Sequence, residues 1–408
     1  MGDVVISGSK NASFPLIAAS LLTDEVCVLE NVPLIQDVVV MVEMAQKLGA
    51  EVWWDRAAHH LEIRAKELSG CAPDGAMSRK LRGSIVLAGA LLGRMHRAEI
   101  PYPGGDAIGA RPLWAHFRAF EALGAVVDER DIIEIDGRAL CGNDFFMEEP
   151  SATATENAIL AAVRAPGKTL IRLPALEPPV QELILFLRSM GADIRIRDLV
   201  RIEINGVKKL RGARHRINPD EVEISSFAAL AAATRSEVLL RGAASDYLDA
   251  VFLQMKKMGV ALEYDQRDLK ISKPSAGYKS FRIQSGLYPK LGPDHVPPFA
   301  ALATQAEGTS LVHDWMYENR QRYIPELRKM GATCEILDQH RALITGPAHL
   351  TGCDMESFDL RAGMVLVIAA LAARGKSVIS NISHIDRGYE KIDERLRALG
   401  ADIERIEK

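Results

Sequence analysis

The chain has 408 residues, too many for one ordinary hydrophobic core, so two domains are expected. Its composition, 48% hydrophobic and 25% charged with a mean hydropathy of +0.01, is that of a soluble globular protein. A net charge of −4 supplies no basic field, which excludes nucleic acid and an acidic membrane surface as expected partners and leaves any anionic ligand to a local cluster of Lys and Arg. From the N-terminus, Met1 to Gly8 reads as a strand and lacks the charged and then apolar regions of a signal peptide. Further on, the longest apolar runs, such as Gly363 to Ala373, are too short to span a bilayer. Cys27, Cys71, Cys141, Cys334 and Cys353 are odd in number and widely spread. None has metal-ligand spacing. They read as reduced thiols of a cytoplasmic protein, and no metal or cofactor is expected.

A helix ending in Leu-Gly-Ala or a close relative recurs six times, with its glycine at Gly49, Gly124, Gly191, Gly259, Gly331 and Gly400. The separations are 75, 67, 68, 72 and 69 residues. Each glycine follows an amphipathic stretch and suits a left-handed helix end. Each precedes a short alternating stretch, such as Ala192 to Ile196, that reads as a half-buried strand. In phase with this comes an alanine-rich helix, a turn and a strand, beginning near Ala12, Gly83, Ala154, Ser226, Pro298 and Ala362. The small side chains let helices pack closely in a shared core. A unit of about 70 residues exceeds the ~20–50-residue period of solenoids. The expectation is therefore two pseudo-symmetric globular domains of three units each, dividing near His215 to Asp220.

Polar groups recur just before each alanine-rich helix: Ser9-Lys10-Asn11, Lys80-Leu81-Arg82, Ser151-Ala152-Thr153, Asp220 to Glu223, Pro293-Asp294-His295 and Asp359-Leu360-Arg361. Helix N-termini carry free N–H groups and partial positive charge, and they bind anions well. Ordinary capping accounts for Ser151 and also suits Asp359. It does not account for Lys10 or Arg82, because a cation there is unfavourable unless an anion is present. Lys10, Arg82 and Arg361 are thus candidates for phosphate and carboxylate binding. The stretch 101–112, Pro-Tyr-Pro-Gly-Gly-Asp-Ala-Ile-Gly-Ala-Arg-Pro, fits no regular element. It reads either as a loop that closes over a substrate or as a plain connection.

These segments resemble those of the enolpyruvyl transferases, and in particular the UDP-N-acetylglucosamine 1-carboxyvinyltransferases. Ser7-Gly8-Ser9-Lys10-Asn11-Ala12 is similar to that family's opening Ser-Gly-Ala-Lys-Asn-Ala. The loop resembles its Pro-Gly-Gly-Cys-x-Ile-Gly-x-Arg-Pro. Glu318-Asn319-Arg320 with Ile324 to Leu327, Asp359-Leu360-Arg361-Ala362-Gly363 and His384-Ile385-Asp386-Arg387-Gly388-Tyr389-Glu390 resemble the remaining motifs. The likeness runs through nearly the whole chain in order. It implies an α/β fold, a two-domain inside-out α/β barrel with six βαβαββ repeats and the active site between the domains. Residues 10–217 would form the first domain, carrying the loop 101–112, and residues 1–9 plus 218–408 the second. The implied reaction moves the enolpyruvyl group of phosphoenolpyruvate onto UDP-N-acetylglucosamine, releasing phosphate through a tetrahedral intermediate. The two substrates are the implied partners; the sequence names no protein partner.

By resemblance, Lys10, Arg111 and Arg387 match phosphoenolpyruvate-binding positions, with Asn11 and Arg82 beside them. Lys10 and Arg387 also count as catalytic. Asp294 matches the general base that takes the proton of the sugar hydroxyl. Asn11, Arg82, Arg111, Asp294, Ser151, His116, Met316 and Arg320 fall where that family meets the sugar nucleotide. Asp359 and Arg361 line the site. Asp106 stands in place of the loop cysteine, the residue that the epoxide fosfomycin alkylates and that acts as a general acid or assists product release. Ser151-Ala152-Thr153 replaces Ser-Val-Gly. His295-Val296-Pro297-Pro298 and Ile224-Ser225-Ser226 look more like the sister 5-enolpyruvylshikimate-3-phosphate synthases. Two alternatives therefore stay open: another acceptor, either shikimate-3-phosphate or a different nucleotide, and a non-catalytic nucleotide-binding paralogue.

Overall fold

The computed structural model describes residues 2–198 and 200–406. Met1, included in the expected first strand, lies outside them. The chain forms two compact units, Gly8–Gly105 with Arg111–Asn218, and Met1–Ser7 with Asp106–Ala110 and Pro219–Lys408. Each unit encloses its own hydrophobic core.

The alanine-rich segments form the innermost helices. In the first unit these are Lys10–Ser20, Leu87–Met95 behind a 3-10 turn at Arg82–Val86, and Ala152–Ala162. In the second they are Glu221–Ala233, Val296–Ala303 behind a 3-10 turn at Pro293–His295, and Leu360–Ala372. Every residue of Glu221–Ala233 is buried. Such helices show no amphipathic stripe because they are covered on all sides. Alanine and glycine let the backbones come close. A Cβ on Gly89 would stand 2.5 Å from the carbonyl oxygen of Asn157 on the neighbouring helix.

Sheets lie outside the helices, which makes each unit an inside-out α/β barrel. In five repeats the strand after the central helix pairs antiparallel with a hairpin. Cys27–Glu30 pairs with His60–Arg64, which pairs with Glu51–Asp55. The same arrangement follows at Arg97–Pro101, Lys168–Arg172, Val238–Arg241 and Ala306–His313. All six recurrent glycines have φ between +84° and +103°, the left-handed helix end that favours glycine.

Two strands are exchanged. Gly2–Val5 pairs parallel with Val238–Arg241 in the fourth repeat. Arg214–Arg216 pairs parallel with Cys27–Glu30 in the first. This exchange makes the chain pass between units at Ser7–Gly8 and again at Asn218–Pro219.

One expectation fails locally. The alternating stretch after Gly400 is no strand: 401–406 carry no regular structure. Elsewhere the first hairpin strand is held by the second, and no second strand follows here among the described residues. Ala401 and Ile403 still pack against the core.

Candidate active site

The first unit carries Lys10, Asn11, Arg82, Arg111, His116 and Ser151. Ser9 caps the helix Lys10–Ser20, its Oγ accepting from Ala12 N at 3.3 Å. This places Lys10 in the first turn, buried, with Nζ 2.9 Å from the buried Asp37 carboxylate. Asn11 follows, half-buried. Arg82 opens its 3-10 turn. Its Nη2 donates to the Arg111 carbonyl and, at 3.4 Å, to that of Pro112. Ser151 caps the helix Ala152–Ala162, with Oγ accepting from Ala154 N at 3.4 Å.

His116 is 2% exposed, and both ring nitrogens are engaged. Asn157 Oδ1 accepts from Gly89 N at 2.7 Å, which fixes the amide orientation. Its Nδ2 therefore donates, to Ile85 O at 2.9 Å and to His116 Nδ1 at 2.8 Å. The proton of His116 then sits on Nε2 and is donated to Thr153 Oγ1 at 3.3 Å. Burial, with the Arg82 charge nearby, pushes the imidazole pKa down to about 3, so the ring is neutral.

Asp106, Asp294, Met316, Arg320, Asp359, Arg361 and Arg387 belong to the second unit. At its centre Asp294 Oδ1 accepts from Arg320 Nη2 at 2.6 Å, and Oδ2 accepts from Arg361 Nε at 3.2 Å. Both guanidinium groups are buried. Burial opposes the charge of Arg361, yet the Asp294 carboxylate, with Tyr389 and Asp220 adding to it, more than offsets this and raises its pKa above the usual arginine value. Arg320 behaves alike, with Asp314 adding to Asp294. Arg361 Nη1 also donates to Tyr389 OH at 3.3 Å, which shares a 2.8 Å hydrogen bond with Ser226 Oγ. Asp359 caps the helix Leu360–Ala372, Oδ1 accepting from the N–H groups of Arg361 and Ala362 at 2.9 Å each. Burial raises its pKa and leaves Oδ2 without a hydrogen bond. Met316 is half-buried, its N–H donating to Asp314 Oδ1 at 3.2 Å. His295, beside Asp294, is buried with Nδ1 2.8 Å from Ser225 Oγ, and burial pushes its pKa down to about 4.

Several contacts hold the segment Asp106–Ala110 in this unit. Arg387 Nη1 donates to Asp106 Oδ1. Asn319 N donates to Ile108 O and Asn319 Nδ2 to Ala107 O, both at 3.1 Å. Gly109, at φ +148°, lies against Glu318: a Cβ there would stand 2.0 Å from Glu318 Oε2.

Lys10 and Arg361 do meet negative charge at their helix starts, but from Asp37 and Asp294 of the protein itself. Arg82 meets carbonyl oxygens. Asp37, Asp314, Asn157, Thr153 and Tyr389 hold the candidate side chains, and sequence reasoning assigned them no such role. Apart from Asp314, which is close in sequence to Met316 and Arg320, their sequence distance from the groups they hold left no local signal. Among the described residues no group of three His, Cys, Asp or Glu side chains is placed to hold a metal ion, and no helix is long and apolar enough to cross a membrane.

The sequence profile described as EPSP synthase (3-phosphoshikimate 1-carboxyvinyltransferase) matches residues 1–396. A UDP-N-acetylglucosamine 1-carboxyvinyltransferase of Bradyrhizobium diazoefficiens is 41% identical, over 99% of this chain and 95% of that protein. One of Treponema denticola is 40% identical, over 100% and 97%. In structure, the enolpyruvyl transferase NikO from Streptomyces tendae superposes with a TM-score of 0.90 at 23% identity, covering 98% of this chain and 95% of that one. An EPSP synthase from Acinetobacter baumannii gives 0.77 at 19%, covering 97% and 95%.

Proposed function

This chain belongs to the carboxyvinyl (enolpyruvyl) transferase family, and we propose that it moves the enolpyruvyl group of phosphoenolpyruvate to the 3-hydroxyl of UDP-N-acetylglucosamine, with release of phosphate. That is the first committed step of peptidoglycan precursor synthesis, and we place it in the cytoplasm. The observation that carries this reading is identity of 40–41% across 99–100% of the chain to relatives bearing that activity in their names.

In this reading Lys10, Arg82, Arg111 and Arg387 neutralise the phosphate and carboxylate of phosphoenolpyruvate, with Asn11 beside them. Asp294, fixed by Arg320 and Arg361, takes the proton of the sugar hydroxyl. The freed oxygen attacks the central enol carbon while the methylene carbon gains a proton. Loss of that proton and of phosphate from the tetrahedral adduct restores the double bond on the new ether. Asp106 supplies or relays a proton and assists release. Ser151, His116, Met316 and Arg320 shape the nucleotide site, His116 through Thr153. Asp359 and Arg361 line the reacting centre. With a carboxylate in place of the loop thiol, the enzyme resists fosfomycin.

The direct test is phosphate release from phosphoenolpyruvate with a panel of acceptors. Turnover with UDP-N-acetylglucosamine is expected. Turnover with shikimate-3-phosphate instead would overturn the assignment.

A further inference from the structure

Among the described residues the segment after Gly400 joins no sheet; Ala401 and Ile403 pack on the core, Arg397 Nε and Nη2 donate to Ile403 O at 3.2 and 3.1 Å, and an ion network centred on Arg405 ties the segment down further. Its Nη1 and Nη2 each lie 2.8 Å from one oxygen of Asp386, a two-point fork. Its Nε and Nη2 also donate to Asp393 Oδ1 at 3.0 and 2.8 Å. These hydrogen bonds, to Asp386 first and then Asp393, raise the Arg405 pKa above its ordinary value.

Asp386 immediately precedes Arg387 and ends the single helical turn Ser383–Asp386, which Arg387 caps. One side of that turn rests on the core. Ile385 and Tyr389 are buried, and a Cβ on Gly388 would stand 2.5 Å from Leu360 Cδ1. Arg405 grips the other side. Adjacent residues in a helical turn do not face each other, so Asp386 is not neutralised by its own neighbour. Without Arg405, Asp386 and Asp393 would leave negative charge beside a group that must receive an anion; Arg397, 3.8 Å from Asp393, offsets part of it.

We propose that Arg405 is a positioning residue for Arg387: its fork on Asp386 fixes the turn that aims the Arg387 guanidinium and cancels a carboxylate that would otherwise repel phosphoenolpyruvate. This rests on the functional reading above, in which Arg387 meets that substrate.

The test uses the full chain with Arg405→Met, Arg405→Lys, and Arg405→Met combined with Asp386→Asn. Arg405→Met should raise KM for phosphoenolpyruvate roughly tenfold while changing KM for the sugar nucleotide less than about twofold. Arg405→Lys keeps charge without the fork and should fall between. The double variant removes the stranded carboxylate and should recover much of the loss. A purely structural role would lower Tm and leave both KM values alone, and that result overturns the proposal. So does a double variant no better than the single one. Should Arg405→Met fail to fold, Arg405→Lys decides: an unchanged KM for phosphoenolpyruvate refutes the positioning role. Arg387→Ala separates the two levels. If it spares phosphoenolpyruvate use, the functional reading falls and this inference with it. If it cripples that use while the Arg405 variants do not, only this inference falls.

Discussion

Asp294 illustrates what a single carboxylate does at this site. Both its oxygens hold buried guanidinium groups, those of Arg320 and Arg361. Asp294→Asn keeps the shape but cannot accept the hydroxyl proton, so kcat should fall by at least about 100-fold. It also strips countercharge from two buried arginines, so stability should drop by roughly 1–3 kcal/mol. A variant that keeps a tenth or more of the wild-type rate removes Asp294 as the base; one with unchanged urea midpoint shows that the arginines have other support. At Asp106 the change is one of nucleophile. A thiolate opens an epoxide readily, whereas a carboxylate is poorer and here is also drawn to Arg387. Incubation with fosfomycin and sugar nucleotide should leave activity and intact mass unchanged, and Asp106→Cys should create time-dependent inactivation. A covalent adduct on the native loop is the result that defeats this. The candidate side chains were legible because they sit in contiguous motifs. Their partners were not: Asp37 and Lys10 are brought together by the packing of two helices, and nothing within either segment announces it.

At the level of elements, the six glycines and the alanine-rich helices could be read because each reflects a local constraint, a left-handed helix end or a side chain small enough for close packing. What could not be read was pairing between distant strands. Nothing in Arg214–Arg216 distinguishes a partner 186 residues away, Val28–Glu30, from one nearby. The missing strand after Gly400 was unreadable for a related reason, since alternation specifies a face and not a partner. The two kinds of glycine can be separated by experiment. Gly191→Ala puts a methyl into open space at φ +96° and should cost only about 1 kcal/mol of backbone strain. Gly89→Ala drives a methyl against the Asn157 backbone and side chain, at 2.5 and 2.7 Å. It should cost roughly 2–3 kcal/mol and disturb the His116 hydrogen bonds that depend on Asn157. Equal losses in chemical denaturation would show that the helix contact yields more easily than the geometry implies.

Across the whole molecule, three buried groups set opposing limits on the pH range of the native state. His116 in the first unit and His295 in the second have pKa values pushed down by burial to about 3 and about 4. Their unfolded value is about 6.5. As pH falls below that, the unfolded chain takes up protons that the native rings refuse, and stability falls. Glu156, buried in the helix Ala152–Ala162, acts in reverse. Burial, with the Glu177 charge adding to it, pushes its pKa up to about 8, against about 4.3 unfolded. Between those values the native state holds the extra proton, so stability falls as pH rises. Counting these three groups alone, from about pH 4.3 to 6.5 the unfolded state holds two protons and the native state one, a loss of ~1.4 kcal/mol per unit of acidification. From about 6.5 to 8 Glu156 acts without the histidines, giving a similar loss per unit of alkalinisation. Asp314 and Asp359, also raised by burial, oppose the histidines within the acid limb. Stability should therefore peak near pH 6.5. Urea midpoints between pH 5 and 8 would locate the peak, and Glu156→Gln, which keeps the volume without the charge, should flatten the alkaline limb while sparing the acid one. A native profile that rises steadily to pH 8, or an alkaline limb that survives Glu156→Gln, would show that this carboxyl is ionised and satisfied in the folded protein.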